Sequence, residues 1–302
     1  MLDIFPSSVE SALSCLDYKG LQELRLRVGK PATVCYFSKY YYLGENGLMQ
    51  HKKQALILDA GDLENIIFKA SNFSVYAVNE DIKKGFISLS SGVRIGIVGQ
   101  VVSENDKVLT IKNFSSLNIR FPHEIKGSSE KIIDKLIENG EFLNTLILSK
   151  PSAGKTTLAR DIIRQISGIK LTKNVLVVDE RNELSGFHNG ECGLDVGDFS
   201  DVIVDCNKSY AFSNGIRSMS PDVIVTDEIG SKQDCDGILY ATSCGVKVLA
   251  TIHSSDLKQL FLKPDFATIL QKKVFERYVV LSNRLGKGTI EGVYDENLNQ
   301  IL

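Results

Sequence analysis

The sequence predicts an α/β protein in which helices pack on a mostly parallel sheet, preceded by a smaller α+β N-terminal domain. Three observations carry this. Residues 146–148 form a short apolar run that leads through a glycine-containing loop into an apolar-periodic helix. Strand and helix patterns alternate from residue 142 onward, the signature of helices on a parallel sheet. Before residue 122 the chain offers short strand candidates separated by turn residues.

At about 150 residues per domain, 302 residues make two domains, expected over residues 1–125 and 126–302. The balance of 43% hydrophobic and 24% charged residues is that of an ordinary globular chain. In the first part, apolar alternation marks residues 23–28, a β-rich stretch covers 33–42, and a helical pattern runs across 62–70. A meander is expected next, with strands at 86–89, 94–102, 108–111 and 117–121 separated by Ser-Gly, Glu-Asn-Asp and Asn-Phe-Ser-Ser turns. Gly96 and Gly99 open no helix after a strand and are assigned to β packing. Ser128 or Ser129 is expected to cap a helix over 130–139, with Ile132, Ile133, Leu136 and Ile137 on one face and Gly140 as its stop.

The segment Ser149, Lys150, Pro151, Ser152, Ala153, Gly154, Lys155, Thr156 matches GxxxxGK[ST] at every fixed position except the first, where serine replaces glycine. Strand, loop and then helix 157–166 is the context that gives this fingerprint its meaning. The loop N–H groups and the helix N-terminus cradle phosphates, Lys155 neutralises the β and γ charge, Thr156 offers a hydroxyl to magnesium, and Thr157 continues the cradle. The first glycine of the fingerprint permits an unusual turn, so Ser149 is expected to reshape that turn and weaken nucleotide affinity without abolishing it. This is a Walker A motif, and with the alternating strands it predicts a RecA-like P-loop ATPase domain.

Residues 222–228 read as an apolar strand entered at Ser220-Pro221 and ending in Asp227 and Glu228, the Walker B pattern, expected beside the P-loop strand. There Asp227 reaches the magnesium shell and Glu228 orients and deprotonates the attacking water. Residues 174–178 form another apolar strand, ending at Asp179-Glu180-Arg181-Asn182-Glu183, so Glu180 or Glu183 is a candidate catalytic carboxylate. A surface salt-bridge loop is the competing reading of these residues. A helix over 233–244 and a strand over 246–253 follow, and His253 at the strand's polar end is the candidate γ-phosphate sensor.

A net charge of -2 gives no field that would gather nucleic acid, and the pairs Lys83-Lys84 and Lys272-Lys273 read as solvated surface. No nucleic-acid partner is expected. The cysteines Cys15, Cys35, Cys192, Cys206, Cys235 and Cys244 form no CxxC pair, which fits a reducing cytosol. His188 and Cys192 stand four apart but lack a second ligand pair, so a polar loop is the reading preferred there over a metal site. The N-terminus carries no signal-peptide pattern and no apolar run approaches a span of about 18 residues, so any membrane role is expected to be peripheral.

Beyond these motifs the chain contains LRLRVGKP at 24–31, GVRIGIVGQ at 92–100, SSLNIR at 115–120, GKTTLARD at 154–161 and VVDERNE at 177–183. GIRSMSPDVIVTDEIG at 215–230, RYVVLS at 277–282 and GTIEGVYD at 288–295 complete the set. On these blocks it resembles the stage III sporulation protein AA family, in the secretion-ATPase superfamily that includes type II and type IV secretion and pilus motors. The resemblance implies a cytoplasmic, mother-cell ATPase that uses ATP and Mg2+ and works with membrane proteins of a channel to the forespore. It also implies a homo-oligomer, a hexamer with ATP near subunit borders, so Arg94, Arg120 and Arg217 are candidate arginines for a nucleotide. Two other readings remain open at this point: an ATP-held oligomeric scaffold with little hydrolysis, and a pilus, secretion-type or nucleic-acid motor.

Overall fold

The computed structural model describes residues 2–76, 78–89, 92–122, 124–188 and 190–302. The chain divides into two units, Met1–His123 with His188–Glu191, and Glu124–Phe187 with Cys192–Leu302.

Period-two apolar residues and frequent turns make the first unit an antiparallel sheet. Its strands are β1 (Leu21–Arg27), β2 (Lys30–Tyr36), β3 (Lys39–Gly44), β4 (Gly47–Met49), β5 (Phe86–Ser88), β6 (Arg94–Glu104) and β7 (Lys107–Arg120), in the spatial order β4-β3-β2-β1-β7-β6-β5. Helices α1 (Ser7–Ser14), α2 (Ala60–Ala70) and α3 (Asn79–Lys83) accompany it. Asp59 and Asp62 form a reciprocal capping box that fixes the start of α2. Leu63, Ile66 and Ile67 of α2 share a buried core with Leu24, Leu26, Val34 and Leu43 of the strands. The predicted break at 113–116 is absent, since β7 runs through it. Asn113 takes a left-handed φ of 50°, and the register jumps from Val98↔Ser116 to Gln100↔Lys112. The extra residues therefore form a bulge, which bends a strand without ending it.

The second unit holds β8 (Ile137–Glu138), β9 (Glu141–Phe142), β10 (Thr145–Ser149), α4 (Lys155–Ile166), β11 (Val175–Asp179) and β14 (Ser200–Val204), while the short strands β12 (Phe187–His188) and β13 (Glu191–Cys192) each have one residue in each unit. It continues through α5 (Lys208–Tyr210), a π-helical segment Ala211–Gly215, α6 (Ile216–Met219), β15 (Val223–Glu228), α7 (Lys232–Ser243) and β16 (Lys247–His253). α8 (Leu257–Phe261), α9 (Ala267–Gln271), β17 (Arg277–Ser282) and β18 (Thr289–Asp295) close it. The main sheet has the order β14-β11-β15-β16-β10-β17-β18, parallel except for the β17–β18 pair.

Both faces of this sheet are covered, which explains why its strands read as continuous apolar runs. Leu146, Leu148, Leu176, Val178, Ile224 and Ile252 join the core under α7, while Ile147, Val175, Val177, Val225 and Leu249 join the core with Leu158, Ile162 and Ile166 of α4.

Two expectations are corrected here. The helix over 130–139 is replaced by turns, a short 3-10 segment at Ile133–Lys135 and the β8–β9 hairpin. Asn139 and Gly140 both take positive φ, 52° and 78°, so this Asn-Gly pair makes a primed hairpin turn in place of a helix end. Ile132, Ile133 and Leu136 are buried in the α4-side core all the same. The strand ending in Asp227 and Glu228 does not pair with the P-loop strand. β16 lies between them, pairing with β10 on one side and β15 on the other.

A Cβ on Gly99 would lie 2.7 Å from the Lys112 carbonyl and 3.0 Å from that of Asn113, both backbone atoms. Gly99→Ala should therefore destabilise the protein by about 1–3 kcal/mol through overpacking of the bulge, measured by denaturant unfolding.

Candidate functional site

In a parallel sheet every strand ends at the same edge, and the crevice beyond those carboxyl ends is where ligands bind. Here that edge collects Ser149 of β10, Asp179 of β11, Asp227 and Glu228 of β15 and His253 of β16. Ser149 lies opposite His253 and Glu228 opposite Thr251. The β15 register slips between Thr226 and Glu228, so Asp227 is an extra residue at the strand end and both carboxylates are re-aimed there.

The loop after β10 turns through left-handed residues, Ser152 at φ 60° and Gly154 at φ 98°. Gly154 also needs the absence of a Cβ, which would stand 3.1 Å from the Gly288 nitrogen. No side chain caps α4, whose first N–H groups are thereby left for an anion. An open cavity of about 460 Å³ lies against Pro151, Ser152, Ala153, Gly154, Lys155, Thr156 and Thr157. Its other walls are Arg181, Glu183, Asp227, Glu228, Thr251, His253 and Lys287. A second cavity of about 880 Å³ shares Gly154, Thr157 and Lys287 with it and is lined by Ile125, Leu158, Leu285 and Ile290.

Ser149 and Lys150 lie behind the cavity. Lys155 Nζ donates to His253 Nδ1 at 2.7 Å, to Ser149 Oγ at 3.2 Å and carbonyl at 3.3 Å, and to the Lys150 carbonyl at 3.4 Å. Ser149 has no positive φ, and its hydroxyl donates to the Lys150 carbonyl at 2.7 Å. Serine is therefore accommodated at the first P-loop position without strain. Burial pulls the Lys155 pKa down to about 8, against the opposing Glu228 and Glu183 carboxylates. With Nδ1 accepting from the ammonium, His253 presents Nε2 to Glu228 Oε2 at 3.3 Å, and Arg181 reaches the same oxygen at 3.2 Å.

Asp227 is held differently. Both its oxygens are buried and neither takes part in a hydrogen bond among the described residues, although Lys208 Nζ stands 3.3 Å from Oδ1 as an ion pair. Burial raises its pKa to about 6, with Asp179 and Glu180 adding to the rise and Lys208 opposing it. Carboxylate oxygens without a hydrogen bond, on a residue that lines the same cavity as Thr156, fit the oxygen ligands and bound water that magnesium requires.

The acidic loop after β11 is fixed from two sides. Asp179, fully buried, accepts from the N–H groups of Glu183 at 2.8 Å, Leu184 at 3.0 Å and Ser185 at 2.8 Å, and from the Ser185 hydroxyl at 2.7 Å. Arg160 of α4 donates to the Leu184 and Glu183 carbonyls, each at 2.6 Å. This framework brings Glu183 and Arg181 to the cavity, whereas Glu180 turns away to Lys208 at 3.0 Å. Arg217 is exposed on α6 and is not among the cavity residues. In the first unit Arg94 stacks on Phe86 at 3.4 Å and lies opposite Arg120 across β6 and β7. The His188 side chain, singled out with Cys192, lies outside the described residues.

Sequence reasoning missed Lys208, Arg160 and Lys287, and the roles of Asp179 and Asp161. Asp161 of α4 receives the Gly127 and Ser129 N–H groups at 2.9 and 2.8 Å and the Ser129 hydroxyl at 2.6 Å, so Ser129 serves this clamp and not a helix cap. Of these, Arg160, Asp161 and Asp179 stood inside blocks already noticed, whereas Lys208 and Lys287 carried no local signal. Lys208 and Arg160 act on partners 20 or more residues away, which no local spacing announces.

Residues 7–301 match the family described as Sporulation stage III, protein AA. The chain is 33% identical over 305 residues to Stage III sporulation protein AA of Bacillus subtilis, covering 98% of this chain and 95% of that protein. Among solved structures it is similar to the Legionella pneumophila ATPase DotB, with a TM-score of 0.57 and 13% identity over 90% of this chain and 74% of that one. It is also similar to the pilus retraction motor PilT with bound ADP, with a TM-score of 0.62 and 14% identity over 93% of this chain and 77% of that one. At such identities the likeness is one of fold.

Asp179→Ala would strip partners from the buried Leu184 and Ser185 N–H groups and the Ser185 hydroxyl. With about 1–3 kcal/mol for each orphaned group, a loss of roughly 3 kcal/mol or more is expected in denaturant unfolding.

Proposed function

The chain belongs to the sporulation stage III protein AA family, and from that premise we propose that it is a magnesium-dependent ATPase whose hydrolytic cycle drives an oligomeric motor. The observation that carries this reading is the meeting of Lys155, Thr156, Asp227, Glu228 and His253 around one cavity at the carboxyl edge of the sheet.

The loop N–H groups over 152–155 and the uncapped start of α4 bind the phosphates. Lys155 leaves its neutral acceptors and His253 for the β and γ oxygens, because charge-assisted bonds to phosphate are the stronger ones. Thr156 and Asp227 are the residues that would hold magnesium, which when bound would supply neutralisation of charge on the phosphate oxygens. Glu228, steadied by Arg181 and His253, orients a water and takes its proton as the water oxygen attacks the γ-phosphorus and ADP leaves. Once Lys155 departs, the His253 ring is left free at the strand end beside the phosphate loop, which makes it the candidate sensor. Glu183 adds negative charge at the cavity wall, and the second cavity beside Gly154 and Thr157 takes the base and ribose. Ser149 and Lys150 support the loop from behind.

The relatives extend the reading. PilT is described as a pilus retraction motor and DotB as an ATPase, and the family is named for sporulation. On this basis the chain works as a ring, a hexamer by resemblance, at the cytoplasmic mother-cell face of a channel to the forespore. It would meet that channel through membrane proteins, since none of the described helices is long and apolar enough to cross a membrane. The exposed Arg217, and Arg94 or Arg120 of the N-terminal unit, are the candidates for reaching a nucleotide across a subunit border.

Magnesium-dependent ATP turnover and nucleotide binding, measured for wild type, Lys155→Ala and Glu228→Gln, test the reading. Lys155→Ala should lose both binding and turnover. Glu228→Gln should keep binding and lose about 100-fold or more in turnover. Full turnover by Glu228→Gln would remove its assigned role, and binding with ring assembly but no wild-type turnover would favour an ATP-held scaffold.

A further inference from the structure

Lys208 opens α5 on the connection between β14 and β15, at a helix start capped by Asn207, whose side chain accepts the Tyr210 N–H at 3.1 Å. Its side chain is 9% exposed, with the ammonium 3.0 Å from Glu180 Oε2, 3.3 Å from Asp227 Oδ1 and 4.0 Å from Asp234 Oδ1. It also donates to the Glu228 carbonyl. One cation thus meets residues from the ends of β11 and β15 and from the first turn of α7.

Lysine is almost never buried unless paired, and these partners are themselves like charges at two neighbouring strand ends. Removing the cation would leave Glu180 and Asp227 to repel each other across the β11–β15 pair. The backbone that carries the lysine is equally constrained. The π-helical segment Ala211–Gly215 follows α5, and π turns recur at functional sites. At its end Gly215 crosses β11 so closely that a Cβ would come 2.5 Å from Leu176 Cδ2. That close crossing holds α5 against the strand whose end carries Glu180.

We propose that Lys208 is a positioning residue of the nucleotide site, tying the Asp227–Glu228 strand end to Glu180 so that Asp227 faces the cavity in register with Thr156. The inference rests on the ATPase reading above and adds to it a group that is not among the residues lining the cavity. The hydrogen-bond-free Asp227 oxygens give it purpose, since a carboxylate kept for a metal's water shell has to be aimed by something else.

The test uses the full chain with Lys208→Met and Lys208→Arg, reading mant-ADP binding with and without Mg2+, ATP turnover and denaturant unfolding. Loss of an outer partner of a metal ligand costs about 10–100-fold in metal affinity or activity. Lys208→Met should therefore lose about that factor in kcat while KM stays within about threefold. The tightening of mant-ADP binding by Mg2+ should shrink by a similar factor, with Mg2+-free binding unchanged, and Lys208→Arg should restore most of both. A folded Lys208→Met with wild-type kcat and a wild-type Mg2+ effect would overturn the proposal. So would a loss of Mg2+-free binding in equal proportion, the mark of a merely structural role. If Lys208→Met does not fold, Glu180→Gln removes one arm of the tie; a smaller loss in the same two readouts supports the proposal and unchanged readouts overturn it. A wild type that binds mant-ADP more tightly with Mg2+ but does not hydrolyse ATP would sink the ATPase reading alone, because the binding comparison still judges Lys208.

Discussion

The balance of charge at the carboxyl edge of the parallel sheet is the constraint on which the rest depends. Three strand ends deliver Asp179, Glu180, Asp227, Glu228 and His253 to a small region, because parallel strands buried on both faces must finish together. Asp179 accepts from N–H donors of its own loop, Glu228 meets Arg181 and His253, and Lys208 pairs with Glu180 and Asp227. Asp227 keeps both oxygens buried, with the Lys208 ammonium 3.3 Å from Oδ1.

That balance also couples the P-loop to the acidic strands. Lys155 opens α4, yet its ammonium is bonded to His253, which in turn contacts Glu228. An anion that draws Lys155 away therefore alters the surroundings of the Glu228 carboxylate. Because β16 lies between β10 and β15, His253 stands midway between the phosphate loop and the acidic strand end. A direct β10–β15 pairing would have left no strand to carry this link.

What was legible in the sequence was local. Strand, glycine loop and helix lie within residues 145–166, and the apolar runs ending in Asp179, Glu228 and His253 are each a single segment whose pattern names its element. The order of those strands was not legible, because pairing partners lie about 100 residues apart, as with Ser149 and His253. The pattern at Ile132, Ile133, Leu136 and Ile137 suits a helix or a compact turn, and Asn139-Gly140 decided for the hairpin. The Asn-Phe-Ser-Ser stretch looked like a turn because turns and bulges draw on the same residues. Lys208 was invisible for a different reason: a lone lysine acquires meaning only once the connection folds back over strands 20 to 28 residues away in sequence.

The most direct test of the central claim is a crystal structure of the chain with Mg2+ and ATPγS. The account predicts the γ-thiophosphate within hydrogen-bond reach of Lys155 Nζ, which will have left His253 Nδ1. It also predicts the ion on the Thr156 hydroxyl and, through water, on Asp227. A nucleotide bound elsewhere, or a Lys155 still bonded to His253 with the phosphates out of its reach, would contradict it.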